Sequence, residues 1–331
     1  MSAALDPVTR DHVRFAYRER GARLAKVRLA HELRGFPYEL TRRGRVWELV
    51  AQPPDVARLE YQFQLIHQNG RSEWVVDPEN PQRASGPWGH KSVLELPGYE
   101  PPAWLQAEPI GVAKSTTIQS RVLRASLPAI LWAHPEANEE SPLLVAHDGP
   151  EYAEHSFLVT LLGQLPPMRA LLLAPVERNE VYSASARYAR ALADEILPSL
   201  GEATLRIGMG ASLGALALLH AHRRHPETFD ALFLQSGSFF RRRDHHERWF
   251  PRFDRISRFV GTTLTRAGER PIPVTIACGT VEENFPANQA MSEALRRQRY
   301  DVRFQEFRDG HNWVAWRDSF HPHLLGLLQR T

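Results

Sequence analysis

Hydrophobic and polar residues alternate along the first hundred positions of the chain. The alternation has a period of two at residues 13–17, 26–30 and 61–66. A period of two is typical of β-strands that bury one face. Turn-forming residues separate these stretches, and Asn69-Gly70 is the strongest turn signal, since Asn-Gly between apolar runs favours a tight hairpin. The pattern predicts a small all-β sandwich domain over residues 1–105.

From about residue 140 the pattern changes to apolar runs that alternate with amphipathic segments. The runs predict buried strands and the segments predict helices. The predicted strands lie at residues 143–146, 170–174, 204–209, 231–234 and 274–277, and the predicted helices at 185–199, 213–224 and 286–298. Residues 117–134 are expected to add two strands, and the proline-rich stretch 97–105 is interpreted as a linker. Apolar strands joined by helices are typical of a mostly parallel sheet covered on both faces, so residues 106–331 are predicted to form an α/β domain.

Composition and charge exclude some classes of protein. Of the 331 residues, 43% are hydrophobic and 24% are charged, and the formal net charge of +3 is spread along the chain. This balance is typical of a globular protein and gives little basis for binding nucleic acid. No run approaches the roughly 18 apolar residues of a membrane-spanning helix, and the N-terminus shows no signal-peptide pattern. With Cys278 as the single cysteine, these features predict a cytoplasmic protein without membrane or nucleic-acid partners.

A pentapeptide between a predicted strand and a predicted helix carries the clearest chemical signal. Gly210-Ala211-Ser212-Leu213-Gly214 matches the pattern G-x-S-x-G. Alone, these residues would equally fit an ordinary Gly/Ser turn. In a strand–turn–helix context they are typical of a nucleophile elbow, whose sharp turn exposes the serine hydroxyl. We therefore predict Ser212 as the nucleophile of a serine hydrolase, with the backbone N–H of Leu213 as the first donor of an oxyanion hole.

The second oxyanion donor is expected in the loop that follows the predicted strand 143–146. That loop contains Gly149, Pro150 and Glu151. Proline has no N–H, so the donor is Gly149 or Glu151, and Gly149 is our candidate. A simple turn without a catalytic role is the alternative interpretation of this loop.

A serine nucleophile needs a general base, and in hydrolases with this elbow the chain order is serine, acid, histidine. His311 follows a polar turn near the C-terminus and precedes Asn312-Trp313, which can start a last helix. It is the predicted base. The acid is expected in the loop after the predicted strand 274–277, where Glu282 and Glu283 are adjacent. Glu282 is the predicted acid, and Glu283 remains the alternative.

Taken together, these residues resemble the enterochelin-esterase branch of the esterase D superfamily, and the resemblance covers almost the whole chain. It rests on His147-Asp148-Gly149 with Tyr152, Gln235-Ser236-Gly237-Ser238-Phe239, Gly279-Thr280-Val281-Glu282 with Asn288, and Gly310-His311-Asn312-Trp313 with Trp316-Arg317. The resemblance implies an α/β-hydrolase domain preceded by a sandwich of the early-set, immunoglobulin-like type. It also implies that Ser212, Glu282 and His311 form a catalytic triad. The chain departs from the family at Asp309, where a second glycine is frequent, and at Asn312, where aspartate is frequent.

The resemblance implies hydrolysis of a carboxylic ester through an acyl-enzyme, with a small-molecule ester as the expected partner. A ferric catecholate siderophore is the candidate substrate. The candidate substrate-binding residues are Arg178, Arg241, Arg242 and Trp313, since guanidinium groups suit an anionic catecholate–iron complex. For Arg241 and Arg242, a solvated basic turn is the competing interpretation. No cofactor is expected, and His245-His246 lacks a spaced partner, so no metal site is predicted.

Other functions remain open from the sequence. One is a general carboxylesterase acting on acylated glycans or small metabolites, for which an aromatic stripe of Trp47, Trp74 and Trp88 would suit a sugar. Tryptophans in a sandwich are more often expected in its core. A second is acyl transfer, which the missing signal peptide disfavours. A third is a catalytically inactive binding protein of the same fold.

Overall fold

The computed structural model describes residue 8, residues 11–21 and residues 23–329, and their contacts divide the chain into two compact units. The first, called the β unit, comprises the described residues up to Glu100 together with Thr280–Glu282 and Arg308–His311. The second, called the α/β unit, comprises Pro101–Gly279, Glu283–Phe307 and the described residues from Asn312 onward. The ends of the two predicted domains, residues 1 and 331, lie outside the described residues.

Two antiparallel sheets form the β unit. Its strands are β1 (Val13–Arg18), β2 (Leu24–Ala30), β3 (Thr41–Arg43), β4 (Val46–Ala51), β5 (Arg58–His67), β6 (Ser72–Val75), β7 (Arg83–Ala84) and β8 (Lys91–Glu95). One sheet has the order β1-β4-β3, and the other has the order β2-β5-β8-β7, with β6 paired to β5. Alternate residues of both sheets enter a shared core, where Phe15 packs edge-to-face on Tyr61 at 5.0 Å. The alternating sequence therefore forms strands because each can bury one face in this core.

The three strands expected from the period-2 pattern are confirmed as β1, β2 and β5, and Asn69-Gly70 lies in the turn between β5 and β6. The expectation for the tryptophans holds only for Trp47, which is buried and donates its indole N–H to Glu19 at 2.9 Å. Trp74 and Trp88 are 56% and 95% exposed, so placing them in the core was wrong. Residue type alone does not fix which face of a strand or turn a side chain occupies.

A mixed eight-stranded sheet forms the centre of the α/β unit. Its strands are β9 (Val112–Ser120), β10 (Ala125–Ala133), β11 (Leu143–His147), β12 (Arg169–Leu173), β13 (Arg206–Ala211), β14 (Ala231–Gln235), β15 (Pro273–Gly279) and β16 (Asp301–Phe307). The order is β16-β15-β14-β13-β11-β12-β10-β9. The six strands from β11 to β16 are parallel, and β10 runs antiparallel to both of its neighbours, β9 and β12. The α/β class is thereby confirmed. All six parallel strands end at the same edge of the sheet, where ligand sites of such sheets usually form.

Helices cover both faces of this sheet. They are α1 (Gly149–His155), α2 (Leu158–Leu162), α3 (Arg178–Val181), α4 (Ala186–Ala191), α5 (Leu213–Arg224), α6 (Phe253–Thr265), α7 (Phe285–Arg297), α8 (Trp313–Asp318) and α9 (His323–Leu328). Successive residues of each strand join different cores: Val145 and Leu171 pack with α4 to α7, whereas Leu144 and Leu172 pack with α1, α2, α8 and α9. Burial on both faces explains why these strands are continuous apolar runs.

The predicted strands of this unit are confirmed, and the helix expected at residues 213–224 is α5 with the same bounds. The helix expected at 185–199 begins as α4 and continues as a π-helical turn over Leu192–Ile196. We predicted neither α6 nor β16 from the pattern. The side chain of His222 on α5 is buried, and its Nε2–H donates to the carbonyl of Arg270 at 2.9 Å. Among the described residues, no helix combines the length and the hydropathy that crossing a bilayer requires.

Candidate active site

Ser212 occupies a strained turn between β13 and α5. The strand ends at Ala211 and the helix begins at Leu213, so Ser212 is the single residue between them. Its φ of 55° and ψ of −121° lie in a region that non-glycine residues rarely adopt, at a cost of about 1–3 kcal/mol. The turn is held by the N–H of Ser212, which donates to the carbonyl of Gln235 on β14 at 2.9 Å. This is the strand–turn–helix geometry that the pentapeptide predicted.

The two glycines that flank Ser212 are required by close packing. A Cβ on Gly210 would lie 2.9 Å from the carbonyl carbon of Gly214. A Cβ on Gly214 would lie 3.1 Å from the Cβ of His147 and 3.4 Å from a carboxylate oxygen of Asp148. Glycine at these positions therefore lets the turn close on itself and lets the loop after β11 approach the start of α5.

The hydroxyl of Ser238 lies next to that of Ser212. The sequence had indicated no role for Ser238. The two Oγ atoms are 3.0 Å apart, and the N–H of Ser238 donates to the carbonyl of Ser212 at 3.1 Å. The loop that carries Ser238 is fixed by Asn288, a fully buried residue whose Oδ1 accepts from Gly237 N–H at 2.8 Å. The segment Gln235–Phe239 had been recognised only through the family resemblance, and the pairing of the two serines depends on neighbouring strands.

Leu213 and Gly149, the two candidate oxyanion donors, are each the first residue of a helix, α5 and α1 respectively. The N–H groups of a first helical turn have no partner inside their own helix, and the helix dipole places partial positive charge at both of these ends. Asp148 precedes Gly149 with a φ of 52°, and a Cβ on Gly149 would lie only 2.2 Å from the Cα of Leu172. The loop after β11 thus sits directly against β12, which fixes the place of its backbone.

Arg178 holds this loop through an ion pair with Asp148. Its Nε and Nη2 donate to the carboxylate oxygens at 2.9 and 2.8 Å, and its guanidinium lies 5.7 Å from the ring centroid of Tyr182. Burial lowers the pKa of Arg178, but the charge and hydrogen bonds of Asp148 outweigh burial and raise it. Because the carboxylate already engages two of its donors, Arg178 supports the loop. Its predicted role in substrate binding stays a prediction.

His147 connects the same loop to α5, another role that the sequence did not indicate. Its Nδ1–H donates to the carbonyl of Gly214 at 3.1 Å, and its Nε2 accepts from the hydroxyl of Tyr188 at 2.8 Å. The ring stacks on Tyr182 at 4.5 Å with an interplanar angle of 14°. Burial, and next the charge of Arg178, lower the pKa of His147 to about 3, so the ring is neutral at physiological pH.

The predicted base and acid are brought together in the β unit, whereas Ser212 belongs to the α/β unit. The Nδ1–H of His311 donates to Oε2 of Glu282 at 2.7 Å. The Glu282 side chain is only 2% exposed and that of His311 is 35% exposed, so the acid is sequestered and the base is accessible. With Nδ1 bound to the carboxylate, Nε2 is left as the proton acceptor. The rival acid Glu283 is 64% exposed.

The remaining predicted binding residues lie in the α/β unit. Arg241 makes a bidentate ion pair with Asp244, at 2.9 and 3.0 Å. Arg242 lines an open groove together with Arg258 and Arg266. Trp313 at the start of α8 is half-buried, with its ring edge-to-face against two neighbouring aromatic rings at 5.0 and 5.1 Å. Their contact with a substrate stays a prediction.

One exposed group of described residues has the composition of a metal-ligand set. The side-chain ligand atoms of His246, Glu247 and Glu283 all lie within 4.8 Å of one another. Glu283 is the spaced partner that the sequence interpretation had found missing for the His245-His246 pair. Exposed groups of this kind equally form solvent-screened ion pairs, and we assign no metal to them.

The mixed sheet and the strained serine between β13 and α5 define the class as an α/β protein with the geometry of a nucleophile elbow. No family model matches the chain. The iron(III) enterobactin esterase of Escherichia coli O6:H1 is 26% identical to it over 279 residues, which cover 77% of this chain and 68% of the relative.

Solved structures show the same fold. The enterobactin esterase of Shigella flexneri, determined in the presence of enterobactin, superposes with a TM-score of 0.77 and 22% identity, covering 96% of this chain and 93% of that one. The ferric enterobactin esterase of Salmonella typhimurium gives a TM-score of 0.76 and 21% identity with the same coverage. The resemblance to the enterochelin-esterase branch is thereby confirmed, and the chain is a carboxylic ester hydrolase.

Proposed function

We propose that the chain hydrolyses the ester bonds of a ferric catecholate siderophore, with Ser212, His311 and Glu282 as a catalytic triad. The observation that carries the proposal is the strained Ser212 at the carboxyl end of β13, because such strain is maintained where a nucleophile must be exposed. The Glu282–His311 hydrogen bond of 2.7 Å supports it, and the esterase relatives supply the substrate class.

The proposal includes the two predicted domains, an early-set, immunoglobulin-like sandwich over residues 1–105 and an α/β-hydrolase domain over residues 106–331. The eight-strand order of the second unit supports the α/β-hydrolase assignment, since a second strand antiparallel to the rest and a nucleophile after the fifth strand are typical of that fold. A cytoplasmic location stays a prediction.

The proposed reaction has two halves. The Nε2 of His311 takes the proton of the Ser212 hydroxyl, and the resulting alkoxide attacks the ester carbonyl. Backbone N–H groups of Leu213 and Gly149 stabilise the oxyanion, each worth about 3–4 kcal/mol by comparison with other serine hydrolases. His311 then protonates the leaving alcohol and the acyl-enzyme remains. Water, deprotonated by His311, attacks the acyl group, and collapse of the second tetrahedral intermediate releases the acid and restores Ser212.

Glu282 acts on His311 and not on the substrate. It fixes the tautomer with Nδ1 protonated and stabilises the imidazolium that forms in each half-reaction. Any iron enters as part of the substrate.

The test compares two substrates on wild type and on Ser212→Ala. We expect wild type to cleave both p-nitrophenyl butyrate and a ferric tri-catecholate ester, with the higher kcat/KM on the ferric ester, and Ser212→Ala to cleave neither. A higher kcat/KM on p-nitrophenyl butyrate than on the ferric ester would support the general carboxylesterase instead. If wild type cleaves no ester and a fluorophosphonate does not label Ser212, the triad is inactive.

The adjacent residues Glu282 and Glu283 allow the proposed catalytic acid to be tested against a matched control. Replacing Glu282 with Gln removes the carboxylate at unchanged size, and we expect kcat to fall roughly 10³–10⁴-fold, as when the triad acid of other serine hydrolases is made an amide. Glu283→Gln, at the exposed neighbouring position, should keep kcat near that of wild type. The reverse order of effects would assign the acid to Glu283.

A further inference from the structure

The loops that carry the proposed acid and base are packed into the β unit. Thr280–Glu282 follows β15, and Arg308–His311 follows β16, so both leave strands of the central sheet. By their contacts, however, both segments belong with the N-terminal strands. Val281 packs against the core of that unit, next to the residue that bonds to His311. Glu282 and His311 therefore lie in segments that pack with the β unit.

Backbone contacts attach the histidine loop to the start of β5. The N–H of Ala57 donates to the carbonyl of Arg308 at 2.5 Å, while the carbonyl of Ala57 accepts from Leu96 N–H at 2.9 Å. Arg308 also reaches Asp55, at 2.8 Å, but both of these side chains are exposed, so their ion pair contributes little.

Arg58, the first residue of β5, makes the buried contact. Its side chain is 3% exposed, and its Nη1 donates to Oδ2 of Asp309 at 3.2 Å. Its Nη2 donates to Glu60 at 3.1 Å. Burial lowers the pKa of Arg58, but the charges of Asp309 and then Glu60 outweigh it and raise that pKa, so the guanidinium stays charged. A buried guanidinium that pairs with two carboxylates keeps its position, because removing either carboxylate would leave a buried charge uncompensated.

Asp309 connects Arg58 to the backbone beside His311. Its side chain is 9% exposed, and its Oδ1 accepts from the N–H of Gly310 at 2.6 Å. One carboxylate oxygen thus faces Arg58 and the other closes the turn that immediately precedes His311. This also accounts for aspartate at a position where related chains frequently have glycine: the side chain has a partner here.

We propose that Arg58 is a positioning residue for catalysis, which through Asp309 fixes the backbone before His311 and thereby the placement of the imidazole. The inference rests on the proposed role of His311 as general base. It assigns to the N-terminal domain a part in organising the catalytic residues, beyond any part in binding substrate.

The experiment compares Arg58→Gln with Arg42→Gln. Arg42 is the matched control, because its Nη2 also pairs with a buried carboxylate of the β unit, that of Glu19, at 2.9 Å. We expect Arg58→Gln to lower kcat on p-nitrophenyl butyrate roughly 100-fold, the scale of a misplaced catalytic group, with KM changed less than about threefold. The rate of Ser212 labelling by a fluorophosphonate should fall in parallel. Arg42→Gln should lower the Tm while keeping kcat.

Two further variants separate positioning from folding. Asp309→Asn should lower kcat as Arg58→Gln does, and the double variant should lose no more than either single one, because both act through one contact. Arg58→Lys, which retains a donor and the charge, should recover part of kcat. If Arg58→Gln does not fold, Arg58→Lys and Asp309→Asn carry the comparison.

The inference is overturned if the variants at Arg58 and Asp309 keep wild-type kcat, or if their losses multiply in the double variant. Its failure is distinguishable from failure of the proposed function, since in the latter case wild type itself neither cleaves esters nor is labelled at Ser212.

Discussion

The backbone around Gly149 leaves no space for a Cβ atom at this position. The residue follows Asp148, whose backbone is left-handed, and its Cα faces β12 so closely that a Cβ would meet the backbone of Leu172 at 2.2 Å. Backbone cannot yield as a flexible side chain can, so any larger residue must move the loop. The proposed second oxyanion donor is the N–H of this same residue.

We predict that Gly149→Ala lowers kcat on p-nitrophenyl butyrate by roughly 10²-fold or more, because the displaced N–H no longer meets the oxyanion. The Tm should also fall, since the inserted methyl group strains the packing by about 1–3 kcal/mol. Steady-state kinetics and a thermal melt measure both effects.

Gly261 on α6 supplies the control for this substitution. A Cβ there meets nothing within 4 Å, so Gly261→Ala should keep kcat and leave the Tm equal or higher, as alanine favours helix. If Gly149→Ala retains wild-type kcat, the second oxyanion donor lies elsewhere, with Glu151 as the next candidate.

At the scale of elements, α5 follows the proposed nucleophile Ser212 directly and is buried over most of its length. The helix begins at Leu213, and its residues are buried from there to His222. Burial first, and neighbouring arginines next, lower the pKa of His220 to about 3, and burial and then Arg270 and Arg223 lower that of His222 to about 4. Both rings are therefore neutral in the folded protein at pH values where the unfolded chain binds protons.

The lowered pKa values of His220 and His222 predict how the free energy of unfolding changes with pH. Between the unfolded histidine pKa of about 6.5 and the folded values, the unfolded state binds more protons, so the free energy of unfolding decreases as pH falls. Each buried histidine contributes up to about 1.4 kcal/mol per pH unit in that window. We expect His220→Leu to make urea-unfolding free energies measured from pH 7 to pH 5 less steep by about one such contribution. His90→Gln, at an exposed position, is the control and should keep the wild-type slope. Equal slopes for wild type and His220→Leu would contradict a neutral buried ring.

At the scale of the whole molecule, the two structural units are not two consecutive stretches of the chain. The described helices α1 to α9 belong to the α/β unit, while Glu282 and His311 belong to the β unit although they follow strands of the central sheet. Catalytic activity should therefore depend on the stability of the β unit as well as on that of the sheet and its helices.

We predict that Val27→Ala separates activity from helix content. Val27 on β2 is fully buried in the β-unit core, and losing two methyl groups should cost about 2 kcal/mol. Esterase activity should then be lost at a lower temperature than the helical circular-dichroism signal. Val260→Ala, at a fully buried position on α6, should shift both transitions together. Coincident transitions in Val27→Ala would show that the protein unfolds as one cooperative unit.

Many strands and helices were predicted from the sequence because they depend mainly on the pattern of residues within a short segment. The bounds of α5 were predicted because the G-x-S-x-G turn leads into a segment rich in helix-forming alanine and leucine. The strand β16 was missed because most of its residues are partly or fully exposed and show no apolar run. The burial of His222 was missed because it depends on the loop before β15, which supplies the carbonyl of Arg270.

The sequence by itself determined the elbow at Ser212 and the class of the second domain, since both follow from local patterns of residues along the chain. Only the tertiary structure decided which glutamate meets His311, that Ser238 lies beside Ser212, and that Arg58 supports the histidine loop. Arg58 and Asp309 are 251 positions apart. A contact over that separation leaves no periodicity in the chain, because it arises only when strands from distant parts of the sequence pack together.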